Sequence, residues 1–226
     1  MGPINYLVDH MMIPFLEFSY LHFFANYGIA IILLTVLIKL IFFPLMNKQY
    51  QSMKMMQKLA PKMKEIREKY KKQPDKMQKE TLKLYQENKV NPMSGCLPMI
   101  VQIPFFLAIY STILSENFQS LIKQPGVNPG LFPFWLSDLS LPDNTFVLPL
   151  ALAGFTYWSQ KLIMTDPNQK KFLLLSPLLI LGFGFKLPSG VLLYWATSTI
   201  LSTLQQFWVM RAGQGSSQPL QLKQAK

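Results

Sequence analysis

Long apolar runs constrain the fold of this chain more than any other feature of its sequence. Four of them, residues 27–46, 97–114, 146–164 and 191–210, approach the twenty or so helical residues that cross a hydrocarbon core about 30 Å thick. A fifth run, residues 172–186, is shorter. Half of the chain is hydrophobic and only 15% is charged, which fits poorly with a water-soluble domain. The sequence therefore predicts an all-α membrane protein that crosses the bilayer several times.

The distribution of basic residues predicts the topology. Segment 47–96 holds thirteen Lys and Arg against five acidic residues, and it supplies most of the net charge of +11. Loops rich in Lys and Arg stay on the cytoplasmic side. If all five runs cross and the N-terminus is outside, this segment, the short loop 165–171 and the tail 211–226 are all cytoplasmic. We therefore predict five transmembrane helices, N-out and C-in.

Three further segments are then assigned to the outer side of the membrane. Residues 1–26 have no basic region before the apolar stretch, so a signal peptide is not expected. Met11 to Phe24 is too short to span and is predicted to be an amphipathic helix at the outer interface. Residues 115–145 form an outer loop, and residues 187–190 form an outer turn.

Segment 47–96 is predicted to form a cytoplasmic helical hairpin. Apolar residues recur at steps of three and four, the spacing of one helix face. These residues are Met53, Met56, Leu59, Met63, Ile66 and Tyr70. Pro74 then starts a second helix, about Pro74 to Glu87. The stripe either packs within a solvated hairpin, or it offers a Met-rich face to apolar segments of other proteins, on a body held near anionic lipid headgroups.

Enzyme chemistry is disfavoured by what the sequence lacks. It has one cysteine, Cys96, and two histidines, and it contains no HExxH, GxSxG or P-loop pattern. We expect no catalytic residues, no metal and no cofactor. Two rival classes stay open at this stage: a channel or transporter, and an intramembrane protease that would use Thr35 with Lys39, one helical turn away.

Lys39 is the most informative single residue, because it lies within the first apolar run. A lysine at the centre of a span costs about 2.5–3.5 kcal/mol on insertion scales, so it needs a partner, a bundle interior or water. No acidic residue lies in the other runs. Lys39 either extends to the cytoplasmic interface or faces a wet, positively charged cavity.

Polar residues of other spans could line such a cavity. Thr35 lies four residues before Lys39 and thus on the same helix face. The second span carries Gln102. The last span carries Ser198, Ser202 and Gln205, which share one face. Ordinary hydrogen bonding between helices explains such residues equally well.

Two stretches of the chain together resemble YidC-type membrane protein insertases of the Oxa/Alb superfamily. The first runs from Tyr27-Gly28 through Thr35, Lys39, Pro44-Leu45 and residues 49–53 to Asn91-Pro92-Met93-Ser94-Gly95-Cys96-Leu97-Pro98, Gln102 and Pro104. The second is Leu187-Pro188-Ser189-Gly190 with Leu193-Tyr194-Trp195, Ser198, Ser202 and Gln205-Gln206. The order and spacing match from about residue 5 to residue 210.

The resemblance implies five helices around a hydrophilic groove that is open to cytoplasm and lipid. Lys39 falls where the family usually has arginine, which keeps the charge but loses the planar, bidentate fork. Thr35 and Trp195 match positions that face the groove. In relatives the client slides along the second and fourth spans. Those spans offer Ile103, Phe105, Phe106, Leu175, Leu179 and Phe183 here.

The partners also follow from the resemblance. It implies nascent membrane proteins as clients, with the Sec translocon and the ribosome as candidate partners. We expect activity as a monomer, without ATP or covalent chemistry, and no specific binding of nucleic acid. The expected location is the bacterial plasma membrane, with the thylakoid membrane as the alternative.

Overall fold

A computed structural model describes residues 3–91, 97–163 and 170–212, and within them it contains helices and no strands. The N-terminal helix consists of α1, a π-helical turn and α2. The α-helices are α1 (Pro3–Leu7), α2 (Ile13–His22), α3 (Tyr27–Lys69), α4 (Pro74–Glu87), α5 (Leu97–Leu114), α6 (Glu116–Ile122), α7 (Val147–Ile163), α8 (Lys170–Gly184) and α9 (Ser189–Ala212). The π-helical turn is Val8–Met12.

Helix α3 has 43 residues and joins the first predicted span to the hairpin without a break. It begins at Tyr27, where the Asn26 side chain accepts a hydrogen bond from the Ile29 amide at 2.9 Å and caps the first turn. At 1.5 Å per residue the helix is about 65 Å long, twice the thickness of a hydrocarbon core. Pro44 and Pro61 both lie inside it.

The hairpin consists of the second half of α3 and the antiparallel helix α4, which begins at Pro74. Leu59 of α3 packs against Leu84 and Tyr85 of α4 and is 2% exposed. The apolar stripe of α3 thus closes on α4, and lysines occupy the remaining faces.

The N-terminal helix starts earlier than the predicted amphipathic segment and is partly built into the protein core. It runs from Pro3 to His22, and Met12 and Leu16 are fully buried against α3 and α5. The opposite face keeps Phe18 and Leu21 exposed. One face therefore packs on the bundle while the other remains apolar and free.

Helices α3, α5 and α9 form the centre of the bundle. Their shared core includes Ile31, Ile109 and Val191, each 0% exposed. Helices α7 and α8 pack on each other and on α9, around Ile180 and Leu192. Gly190 allows α9 to approach closely, since an added Cβ would lie 2.7 Å from Ile113 Cδ1.

The loop between α5 and α7 closes the end of the bundle opposite the hairpin. It includes the short helix α6, which the sequence does not predict within this outer loop. The Ser189 amide donates to the Leu141 carbonyl at 2.7 Å, and this bond holds the start of α9. Asp143 is buried and accepts hydrogen bonds from the Leu148 amide at 2.8 Å and the Trp135 indole at 3.3 Å.

The hydropathy of the helices is uneven. Within the described residues, α3 is the one helix of at least eighteen residues with a window apolar enough to cross a membrane. Shorter apolar stretches lie at Ile100–Leu114 and Leu174–Gly184. Helix α9 is long enough but carries many polar side chains, and these contribute to the site described next.

Candidate functional site: a polar cluster around Lys39

The Lys39 ammonium points into the bundle, where it bonds to two other helices. It donates to Ser202 Oγ of α9 at 2.8 Å and, more weakly, to Gln102 Oε1 of α5 at 3.4 Å. Lys39 is half-buried. This geometry differs from a lysine that extends along its own helix to the interface, one of the two alternatives the sequence left open.

Gln102 is the centre of the hydrogen-bond network. Its Nε2 donates to the Tyr194 hydroxyl at 2.7 Å, and its Oε1 also accepts from Ser198 Oγ at 3.1 Å. The Tyr50 hydroxyl lies beside Ser202 on the far side. We call these six residues the Lys39 cluster: Lys39, Tyr50, Gln102, Tyr194, Ser198 and Ser202. They come from three helices that are distant in sequence.

Helix geometry explains why these side chains meet. Helices α3 and α9 run in the same direction, because Lys39 meets Ser202 and, fifteen residues later, Lys54 meets the carbonyls of Val209 and Met210. Residues four apart share one face of a helix, so Ser198 can bond to Gln102 of α5 while Ser202 accepts from Lys39 of α3. The polar stripe predicted on the last span therefore faces inward at these two positions.

The positive charge of Lys39 is solvated by neutral groups. Its partners are a hydroxyl and an amide oxygen, and neither carries charge. An ion pair between Lys64 and Glu68, at 3.9 Å, lies far from Lys39 on the exposed surface of the hairpin. An ammonium has three donors and two are used here, so Lys39 can bind an anionic group as well.

Further polar atoms are buried without protein partners. Among the described residues these include both amide atoms of Gln49, Nε2 of Gln206 and Oγ1 of Thr156. Buried amides and hydroxyls normally have a hydrogen-bond partner, and water is the partner that suits such a site. Gln49 is on α3, ten residues beyond Lys39 toward the hairpin, and Gln206 is on α9.

Three other predicted lining residues do not bond to the cluster. Thr35 is 0% exposed, and its hydroxyl donates to the Ile31 carbonyl of its own helix at 2.7 Å. Gln205 donates to the Phe43 carbonyl at 3.1 Å. Trp195 is half-buried, with its ring edge-on to Phe106 at 5.4 Å.

The six residues predicted to guide a client divide into two groups. Four are exposed on the bundle surface: Ile103, Leu175, Leu179 and Phe183. Phe105 and Phe106 are half-buried and pack inward, Phe105 edge-on to Phe42 at 5.2 Å.

The predicted contact face of the hairpin is largely covered by α4. Leu59 is buried, while Met53, Met56 and Met63 are half-buried. The Met63 sulfur accepts a hydrogen bond from the Tyr85 hydroxyl at 2.7 Å. Leu59, Met56 and Met63 therefore pack within the hairpin, whereas Met53 packs at the end of α9 with Met46 and Val209.

Two surface clefts lie away from Lys39. One of about 410 Å³ lies between α7 and α8, and one of about 150 Å³ lies in the loop around Asp143.

The sequence interpretation missed several residues at the site. The sequence indicates Tyr194 only as part of a motif, and it predicts no role for Tyr50 or Lys54. Aromatic residues in apolar runs are common, so their residue type alone gave no sign that two hydroxyls join the cluster. The position of Lys54 opposite the end of α9 depends on the parallel packing of two helices.

A helical bundle that buries a lysine among neutral polar groups belongs among membrane proteins with polar interiors. The family model described as 60Kd inner membrane protein matches residues 19–216. The chain is 43% identical over 194 residues to a membrane protein insertase YidC of Syntrophus aciditrophicus, covering 85% of this chain and 34% of the relative. It is also 43% identical over 196 residues to that of Helicobacter pylori strain 26695, with the same coverage.

A solved structure agrees with the sequence matches. A crystal structure of active YidC insertase with its first transmembrane domain resolved aligns with a TM-score of 0.72 and 30% identity. The alignment covers 92% of this chain and 47% of that chain. The chain spans about a third of the length of the curated relatives that it matches. The chain belongs to the 60Kd inner membrane protein family, whose members include the YidC insertases.

Proposed function

We propose that this chain inserts newly made membrane proteins by receiving their hydrophilic tails at the Lys39 cluster. The observation that carries the proposal is a lysine held between three helices by neutral groups alone, with one donor left over. Relatives about 43% identical over 85% of the chain are named membrane protein insertases. No step of the mechanism requires ATP, a metal or covalent chemistry.

The proposed topology has five spans, with the hairpin in the cytoplasm and the N-terminus outside. Helices α3, α5, α7, α8 and α9 are the spans. The parallel packing of α3 and α9 supports this topology, since it places the end of α9 beside the base of the hairpin. The basic residues of the hairpin then lie on the cytoplasmic side, as the positive-inside rule requires.

The Lys39 cluster lowers the barrier for a client in two ways. Its polar groups give water and a short hydrophilic tail a path into the bundle, which shortens the dry part of the crossing. The Lys39 charge attracts acidic residues of that tail, and low-dielectric walls strengthen the attraction relative to water. The buried polar atoms without protein partners, on Gln49 and Gln206, support a hydrated route from the hairpin side.

Release of the client is driven by lipid. Once the tail has crossed, transfer of the client's apolar segment from the bundle into the hydrocarbon lowers the free energy. The exposed apolar residues Ile103, Leu175 and Phe183 form the surface along which it leaves. Phe106 packs on Trp195, so these two rings form the wall between that surface and the cluster.

The proposed setting is the bacterial inner membrane, with the chain acting as a monomer. The lysines of the hairpin bind anionic lipid headgroups, each worth about 1 kcal/mol near the surface. The Sec translocon and the ribosome are candidate partners, and nascent membrane proteins are the substrates.

A charge-matched insertion assay tests the proposal. The purified protein is reconstituted in vesicles, and a short single-span client is synthesised with an acidic tail or with the same tail carrying amides in place of the acids. We expect Lys39→Ala to lower insertion of the acidic client and leave the neutral client unchanged, while Lys39→Arg inserts both. Equal insertion of both clients by Lys39→Ala would contradict the role of the charge.

Crosslinking locates the client. A photoreactive residue replaces Gln102 or Trp195, and the buried position Thr35 serves as the control. Adducts at 102 and 195 with a client arrested during synthesis, and none at 35, support entry into the bundle. Adducts confined to the lipid-facing side of α8 would contradict it.

A further inference from the structure

An open apolar groove separates α7 from α8 on the surface of the bundle. Its volume is about 410 Å³, within the range of roughly 300–1,000 Å³ typical of small-molecule sites. Leu150, Leu174 and Leu178 on its rim are each more than half exposed. With apolar walls and one open side, the groove suits an apolar chain that comes from the bilayer, and it offers little to a polar solute.

Glycines and a proline shape the groove. At the end opposite the hairpin a Cβ added to Gly184 would lie 3.1 Å from Pro149 Cβ. Farther along, Gly154 has no side chain, and an added Cβ would meet nothing within 4 Å. Pro177 lies inside α8 on the facing wall, and proline is a common cause of helix kinks.

A positively charged side chain, Lys161, lies at the hairpin end of this groove. Gly154 and Tyr157 line it, and Lys161 follows Tyr157 by four residues, so all three share one stripe of α7. Lys161 is exposed, and it forms no hydrogen bond or ion pair with another residue of the described ranges. From Gly154 to Lys161 the helix rises about 10 Å.

We propose that the α7–α8 groove binds one anionic phospholipid from the leaflet on the hairpin side. One acyl chain lies along the stripe of Leu150, Gly154 and Tyr157, and the headgroup phosphate contacts Lys161. The open space at Gly154 and the volume of about 410 Å³ fit an acyl chain, whereas a helix with side chains is about 10 Å across. The site shares no residue with the Lys39 cluster, so it is separate from the proposed insertion route.

The face of α8 used here also differs from the proposed client surface. Leu174, Leu178 and Leu181 line the groove, while Leu175 and Leu179 lie one position farther along and point away by about 100°. A bound lipid therefore fills the seam beside the client path without blocking it.

Photolabelling with acyl-chain diazirine lipids tests the site in the intact protein. The chain is reconstituted in phosphatidylcholine nanodiscs that contain a small share of photoreactive phosphatidylglycerol or photoreactive phosphatidylcholine, and adducts are mapped by peptide mass spectrometry. We expect adducts on α7 and α8 within the groove. The phosphatidylglycerol probe should give about five times more, the factor that corresponds to about 1 kcal/mol for one lysine near a headgroup.

Two pairs of variants separate the acyl chain from the headgroup. Gly154→Leu fills the groove and should abolish its adducts, whereas Gly182→Leu, which also points into open space but lies outside the groove lining, should keep them. Lys161→Gln should remove the preference for phosphatidylglycerol and keep the adducts, whereas Lys186→Gln at the other end of α8 should keep both.

The outcomes that overturn the proposal are equally specific. Unchanged groove adducts in Gly154→Leu would exclude the groove as the acyl site. Equal labelling by the two probes in the wild-type protein would exclude a preference for the anionic headgroup, and an unchanged preference in Lys161→Gln would exclude its contact with Lys161. A client segment crosslinked in the groove in place of lipid would show that the occupant is a peptide.

Discussion

Replacing Lys39 with methionine should separate stability from function. Methionine is similar in length and apolar, so Lys39→Met removes the charge and the hydrogen bonds to Ser202 and Gln102 while largely keeping the packing. A lysine at the centre of a span costs about 2.5–3.5 kcal/mol on insertion scales. Hydrogen bonds to a charged group contribute about 1.5–3 kcal/mol of stability each, which offsets this cost, and the bond of 3.4 Å to Gln102 is weak.

The insertion cost and the hydrogen-bond contribution nearly cancel. We therefore expect the free energy of unfolding of Lys39→Met to lie within about 1 kcal/mol of the wild-type value. Insertion of an acidic-tailed client should nevertheless fall, because the charge that attracts the tail is gone. The free energy of unfolding is measured by denaturant titration in one detergent, and insertion is measured in vesicles made from the same preparation. Met46→Leu, a buried change on α3 that keeps an apolar residue, is the control.

A loss of about 3 kcal/mol or more in Lys39→Met, with insertion falling in proportion to the unfolded fraction, would refute this reasoning. Lys39 would then be a structural residue that holds three helices together, and the Lys39 cluster would be ordinary interhelical bonding. Full insertion with unchanged stability would equally remove Lys39 from the mechanism.

Three further predictions concern the elements that support the site. Burial raises the pKa of Asp143, but hydrogen bonds from neighbouring hydroxyl, amide and indole groups outweigh it and hold the pKa below its ordinary value. The ionised Asp143 carboxylate therefore stabilises the folded protein above its unfolded-state pKa of about 3.9, and this stabilisation is lost as the pH falls through its lower pKa in the folded protein. Asp143→Asn should reduce the acid-induced drop in melting temperature, and Asp75→Asn on the exposed start of α4 should not. Lys54→Met removes two hydrogen bonds to the last carbonyls of α9 and should speed amide hydrogen exchange in its last turn. Gly190→Ala brings a Cβ to 2.7 Å from a core methyl group and should cost about 1–3 kcal/mol of unfolding free energy, whereas Gly182→Ala should cost far less.

Much of the site was predictable because polar groups in apolar runs are costly and few. Lys39, Gln102, Ser198 and Ser202 were all singled out on that ground, and the structure brings these four together. Thr35 shares the face of Lys39, as its spacing predicts. Its hydroxyl nevertheless bonds to its own helix, an alternative that Ser and Thr always have and that spacing cannot exclude.

The parts that sequence could not supply depend on how the helices rotate and pair. Ile103 and Phe105 were assigned to one client surface, yet they are two positions apart and so about 200° apart around the helix. One is exposed and the other packs on Phe42. The bond between Gln102 and Tyr194 spans 92 positions, and no local pattern predicts such a pairing.

The continuity of α3 links the hairpin to the cluster. The hydropathy change near Met46 suggests a boundary, but proline and lysine-rich sequence after it do not end the helix. The same helix therefore presents Lys39 to Ser202 and Lys54 to the end of α9. Since these two contacts with α9 lie on either side of Pro44, the segment between them is held at both ends. Pro61 also lacks a backbone donor, but it lies within the hairpin, where α4 packs on Leu59 before it and on Met63 after it. Each proline of α3 is therefore braced by a neighbouring helix, Pro44 by α9 and Pro61 by α4, so that the long helix can carry the geometry of the Lys39 cluster into the hairpin.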